Sequence, residues 1–169
     1  DELRLGHSIA RLARFGQDRF KVATGAIGTF VGVEGATRPN VVTALHACDT
    51  ATDDAIFQGI AGNAALIITA PCCQHELAPQ LEKPANALRG LTKFGLFKQR
   101  QADLVTDAAR CLLLEASGYR VKVIEFTSTE HTAKNLMIAA SRDKSVDRDP
   151  ARRQYAELKA LMNSESQHL

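Results

Sequence analysis

The chain has no tryptophan, and aromatic residues make up only 5% of it. That scarcity weighs against a stacking platform for single-stranded nucleic acid, which uses several exposed rings. An excess of one charge is also missing. The chain has 21 Lys and Arg against 19 Asp and Glu, a formal net charge of +2. So weak a field demands no polyanionic partner. The longest apolar runs are short stretches such as residues 64–70. They fall far below a membrane span, so no membrane partner is expected. No charged-then-apolar leader opens the chain, which argues against secretion. Cysteines are few: Cys48, Cys72, Cys73 and Cys111. The low count and the adjacency of Cys72 and Cys73 argue against a disulfide framework and for a reducing, cytoplasmic setting.

What is present suffices for one domain. The 169 residues are 45% apolar and 24% charged, ordinary values for a chain with a buried core. The sequence opens on Asp1 rather than Met and reads as helix from Glu2, so a longer parent protein is expected.

Periodicity divides the chain into alternating elements. Residues 2–15 carry Leu5, Ile9, Leu12 and Ala13 at helical spacing, with Gly16 as a stop. Residues 19–24 read as a short strand. Five residues of the stretch 25–40, namely Gly25, Gly28, Gly32, Gly35 and Pro39, make it mostly turn. They match neither G-x-G-x-x-G nor a Walker pattern, so no phosphate loop is read there. Residues 41–45 form a short β-rich apolar run, the pattern of a buried parallel strand. A helix over 52–60 follows, with Thr50 or Thr52 as N-cap and Asp53 and Asp54 in its favourable first turn. Residues 64–70 are a second buried strand, stopped by Pro71.

The stretch 71–97, punctuated by prolines and glycines, resembles an inserted lid. A long helix over 98–117 ends at Gly118. Strands at 120–126 and 135–140 are close enough to pair as an antiparallel hairpin. Val121, Val123, Leu136 and Ile138 supply the surface that packs on the preceding helix. Residues 141–150 read as a charged, mobile linker, and 151–162 as a last amphipathic helix. Strand and helix alternation predicts an α/β sheet. Ligands of such sheets bind beyond the carboxyl ends of the strands.

Two segments at that edge are chemically dense: Leu45-His46-Ala47-Cys48-Asp49 and Pro71-Cys72-Cys73-Gln74-His75-Glu76. Parallel strands joined by a helix are often neighbours, which would gather these side chains. Three readings compete. A zinc site could draw on His46, Cys48, Cys72, Cys73 and His75, but the spacing is not a standard pattern and adjacent cysteines rarely both reach one ion. No metal ligand is assigned on that ground. Nucleophilic catalysis by Cys with His lacks an orienting third group. A ligand pocket lined by small, polarisable side chains is the third. The plain alternative makes Cys72 and Cys73 buried small apolar residues, which suits one of them better than the whole cluster. The hairpin loop adds Glu130, His131, Lys134 and Asn135, more varied chemistry than a turn needs. Arg142, Lys144, Arg148, Arg152 and Arg153 alternate with Asp143, Asp147 and Asp149 and read as a solvated face.

The segment His46-x-Cys48-x-x-x-Thr52-Asp53, followed by Pro71-Cys72-Cys73, resembles the paired signatures of a methyltransferase-like family of class I S-adenosylmethionine-dependent enzymes. Similarity extends over Val105-Thr106-Asp107, Gly118-Tyr119, Glu125-Phe126 and Glu130-His131-Thr132-x-Lys134-Asn135, covering roughly residues 2–140. A more distant likeness runs to eukaryotic transfer-RNA ribose methyltransferases, with Asp49 where those have Gly.

The resemblance implies a Rossmann-like α/β fold, a seven-stranded sheet ending in an antiparallel hairpin. The reading above supplies five strands, so the domain is expected to be N-terminally incomplete, a single partial domain over 1–169. The family's glycine-rich cofactor loop and ribose-binding acid are expected before Asp1, and tight cofactor binding by the chain alone is not expected. S-adenosylmethionine is the implied cofactor. Gly25, Ala26, Ile27, Leu45 and His46 are the implied cofactor contacts, with Ala26 where many such enzymes place an acid. His46 or Asp49 would act as base or orient the acceptor. Cys48, Cys72, Cys73, Glu130, His131 and Asn135 would bind the acceptor, with RNA as one acceptor class. A rival function is a non-catalytic subunit that completes its sheet with another chain. A second is a zinc-binding protein using the Cys/His cluster.

Overall fold

The computed structural model describes residues 25–29, 40–45, 47–80, 89–126 and 134–162. A 3-10 turn at Ile27–Thr29 precedes β1 (Val41–Leu45), α1 (Thr50–Ala61), β2 (Leu66–Ala70), α2 (Arg89–Thr92), α3 (Gly95–Ala116), β3 (Tyr119–Glu125), β4 (Leu136–Arg142) and α4 (Arg148–Met162). The strands make one sheet in the order β1-β2-β4-β3. β1 and β2 are parallel, while β4 runs antiparallel to both β2 and β3. The α/β class and the terminal hairpin are therefore present. The helix read at 2–15 and the strand at 19–24 lie outside the described residues.

One face of the sheet carries the core. Strand register places Val42, Ile67, Ala140 and Val121 in a row across it, with Ala44, Thr69, Ile138 and Val123 in the next. α1 meets this face with Thr52, Ala55, Ile56 and Gly59, the spacing of one helical stripe. Gly59 lets helix and strand approach closely there: a Cβ would lie 2.7 Å from the Ile67 Cδ1, and Ile67 would have to shift. α3 contributes Leu114, which joins Ile56, Ile67, Tyr119 and Ile138 in the main cluster. The buried Tyr119 hydroxyl donates to the Ala64 carbonyl at 2.9 Å, tying the start of β3 to the loop before β2.

Several expectations need correction. β1 is not a buried strand. It is an edge of the described sheet, and of its five residues only Ala44 is buried. Val123 is 54% exposed on the other edge, so the hairpin packs through Ile138, Ala140 and Val121 instead. The N-cap of α1 is Asp49, without a side-chain cap bond, rather than Thr50 or Thr52. The hydroxyl of Thr52 instead donates to the Ala47 carbonyl. Residues 141–150 are not a loose linker. Ser141 and Arg142 complete β4, the Asp143 N–H donates to the Gly118 carbonyl, and α4 begins at Arg148. α4 docks through Leu158, which packs with Leu77 and Ala102 in a second cluster. Of the stretch read as a lid, residues 71–80 are anchored as described next, residues 81–88 lie outside the described residues, and α2 occupies 89–92.

Candidate functional site

The parallel register pairs Val41 with Leu66 and Leu45 with Ala70. Continued past the strand ends, the same offset brings Cys48 beside Cys73, and the Asp49 N–H donates to the Cys73 carbonyl at 3.2 Å. The two chemically dense segments therefore share one edge. The Cys48 and Cys72 sulfurs are 3.1 Å apart, and those of Cys72 and Cys73 are 3.7 Å apart. All three Sγ atoms lie within 4.8 Å of one another. Adjacent cysteines converge on one point only rarely; here residues 71–75 are irregular, and both side chains approach Cys48. Cys48 is exposed and the other two are half-buried. Partial burial, then the neighbouring Cys48, push the Cys73 thiol above its ordinary value.

Asp49 builds the loop rather than hanging free in it. Its φ of 52° is in the left-handed region, uncommon for a residue other than Gly. In that conformation Oδ1 accepts the His75 N–H at 3.0 Å and the Glu76 N–H at 3.2 Å. A carboxylate accepting two backbone N–H groups is a strong local clamp. One oxygen of the expected base or orienting residue is thus committed to holding the second loop against the first.

Behind this edge is a buried polar network that reading the sequence missed. Arg110 of α3 is fully buried. It donates from Nε to Asp53 Oδ1 at 2.6 Å, from one terminal nitrogen to Asp107 Oδ1 at 3.0 Å, and from the other to the Asp49 carbonyl at 2.8 Å. Burial opposes the guanidinium charge, but Asp53 and then Asp107 outweigh it and hold Arg110 above its ordinary value. Burial raises the Asp107 carboxyl despite the opposing Arg110 charge. The Gln74 amide nitrogen donates to both Asp107 oxygens at 3.1 and 3.2 Å. Gln74 Oε1 accepts from Lys134 at 2.7 Å, and Lys134 also pairs with Asp103 at 2.7 Å. One network thus joins α1, α3, the cysteine loop and the root of the hairpin. The signal available in sequence was Asp53, Asp107 and Arg110 at helical positions that also carry the apolar stripes, where an unpaired charge would be costly.

The remaining expected site residues divide. Leu45 stands at the end of β1, 62% exposed. Gly25, Ala26 and Ile27 are exposed and lead into the turn that rests on α1, where Gln58 Nε2 donates to the Gly28 carbonyl and a Cβ at Gly28 would meet Asp54. Asn135 is buried at the hairpin root, its carbonyl accepting the Phe126 N–H at 3.0 Å. His46, Glu130 and His131 lie outside the described residues. The flanking residues Phe126 and Lys134 are at the same edge of the sheet as Cys48, since β4 starts opposite the end of β2. Cys111 is not part of the site. It packs on the main core, and burial, then Asp107 and Glu115, push its thiol up to about 12. Among the described residues no helix is long and apolar enough to cross a membrane.

A family model described as a methyltransferase domain matches residues 5–80. The resemblance read from the motifs holds over that stretch, which contains both dense segments of the carboxyl edge. No curated protein and no solved structure matches the chain.

Proposed function

We propose that the chain carries a methyltransferase domain of the S-adenosylmethionine-dependent class I type, acting at the carboxyl edge of β1 and β2. The observation that carries this reading is the clamped pair of loops: Asp49 grips His75 and Glu76, and Cys48 meets Cys72, within the stretch matched by the methyltransferase model. The strand order β1-β2-β4-β3 with an antiparallel final pair supports the Rossmann-like reading.

Exposed Leu45 and Ile27 offer the kind of apolar surface on which an adenine ring packs, and Gly25 has open space around it. Leu45, His46 and the backbone of Gly25, Ala26 and Ile27 are the residues that would hold the cofactor. When bound, S-adenosylmethionine supplies a methyl group already activated on a sulfonium. The chain's task is then to align the acceptor and exclude water. His46 takes a proton from the acceptor or orients it, Asp49 keeps the two loops in register, and Cys48, Cys72 and Cys73 wall the pocket. Glu130 and His131 are the loop residues we assign to the acceptor, and the Lys134–Gln74 bond fixes the hairpin at its root. RNA is the acceptor class we favour, in a cytoplasmic setting that keeps the thiols reduced.

The test is to incubate the protein, expressed from its complete natural reading frame, with S-adenosylmethionine labelled in its methyl group and total cellular RNA. Label entering RNA, suppressed by S-adenosylhomocysteine and lost in His46→Ala, supports the reading. Label in neither RNA nor protein, with no photo-crosslinking of the cofactor to the chain, contradicts it. A second reading is a subunit that completes its sheet with another chain, in which β1, an edge of the described sheet, would be the strand that meets it. Its expected outcome is a stable hetero-complex recovered by its mass, with no methyl transfer by either component alone.

A further inference from the structure

We propose that Cys48, Cys72 and Cys73 form a binding site for Zn(II), held by three thiolates with a fourth position open to another donor. The proposal stands on the sulfur geometry and does not depend on the methyltransferase reading. At a Zn–S bond of about 2.3 Å, sulfurs on one tetrahedral ion lie roughly 3.8 Å apart. Here two of the separations are 3.1 and 3.7 Å, and no pair exceeds 4.8 Å. All three separations are thus of the order that a single ion requires, about 3.8 Å.

The backbone beneath the sulfurs is already held. The Asp49 N–H donates to the Cys73 carbonyl, and Asp49 Oδ1 fixes the next two amides of the same loop. A prearranged donor set loses little freedom when an ion enters. The donor chemistry selects the ion class: all three candidate ligands are thiols, which favour soft or borderline cations over Mg(II) or Ca(II). Cys48 is exposed, which gives the ion a route in and leaves a coordination position facing solvent. An ion here would join the loop after β1 to the loop after β2, adding a second tie beside the Asp49 clamp. Each thiol loses its proton to solvent as its sulfur becomes a ligand, so affinity falls in acid.

The test uses the full chain, reduced and freed of metal. Titration with Co(II) should raise a thiolate-to-cobalt charge-transfer absorption that saturates at one ion per chain and disappears when Zn(II) is added. Cys72→Ser should weaken Co(II) binding roughly tenfold or more, on the scale of losses at metal sites. Cys111→Ser should leave it unchanged. A readout without substitutions guards against misfolded variants. Zn(II) should slow iodoacetamide modification of Cys48, Cys72 and Cys73, followed by mass analysis, while the rate at Cys111 does not change. No charge-transfer band, or equal alkylation of the three thiols with and without Zn(II), would overturn the proposal.

Discussion

The two ends of the sheet use the same residue types in opposite ways. At the carboxyl end of β1 and β2, Arg110 and Asp53 are both fully enclosed and lie 57 residues apart in sequence, on α3 and α1. At the amino end, Arg120 and Asp143 meet at 2.7 Å on the surface, Arg120 opposite Ser141 in the hairpin register and Asp143 just past the end of β4. Asp143 also gathers the Ser145 N–H and hydroxyl, so that end is a local turn. The carboxyl-end network instead ties α1, α3 and the two loops, segments far apart in sequence. A buried ion pair adds little net stability over apolar packing, but it penalises every arrangement that leaves a charge alone. We read the carboxyl end as held for position and the amino end as held for closure of the hairpin.

The largest expected effect comes from breaking the buried side of that contrast. Arg110→Met takes the buried guanidinium from Asp53 and Asp107 and removes the donor to the Asp49 carbonyl, costing about 3–5 kcal/mol in a urea unfolding series. Arg120→Met, the matching change at the amino end, should cost far less, because its partner keeps water and Ser145. Equal losses from the two would erase the distinction.

Next in size is Gly118→Ala at the amino end. Gly118 has φ +90°, and a Cβ there would lie 2.8 Å from Arg148. The strained backbone should cost about 1–3 kcal/mol, seen as a lower thermal midpoint. A gain is expected from Thr69→Val. The hydroxyl of Thr69 is buried on β2 and finds no hydrogen-bond partner among the described residues. Removing it at nearly constant shape should raise stability by about 1 kcal/mol, and a loss would reveal a partner for Thr69.

The smallest effect is a difference in pH response. Bonds from Ser145, then Arg120, hold the Asp143 carboxyl at about 2. Its folded value lies below its unfolded one, so its contribution is complete above the usual carboxylate range and is lost as pH falls toward about 2. Asp107 is shifted the other way, chiefly by burial, so its contribution declines as pH rises out of that range. Asp143→Asn should flatten the acid limb of a stability-against-pH curve. An unchanged limb would remove Asp143 from the account.

Much of the described fold was legible because its signals are local. Thr50, Thr52, Asp53 and Asp54 announced the start of α1, Gly118 announced the end of α3, and the short β-rich runs announced the hairpin. The meeting of the two dense loops was also readable, since parallel strands joined by one helix tend to be neighbours. The burial of β1 was misread because a short apolar run looks the same on an edge as in the middle of a sheet. The polar network escaped notice for a physical reason. Asp53 in a first turn and Arg110 within a helix each have an ordinary surface role, and only tertiary packing reveals them as partners. The conformation of Asp49 was likewise hidden, because nothing in its neighbours demands a positive φ.

The central claim is that the Asp49 carboxylate, with the Arg110 network behind it, holds the cysteine loop against the end of β1. Hydrogen exchange at the His75 and Glu76 amides tests it most directly, because both N–H groups end on Asp49 Oδ1. The account predicts that both amides are protected in the native chain and lose that protection in Asp49→Ala, while the amides of β2 and β4 exchange as before. Rapid exchange of His75 and Glu76 in the native chain, or rates that Asp49→Ala leaves unchanged, would contradict it.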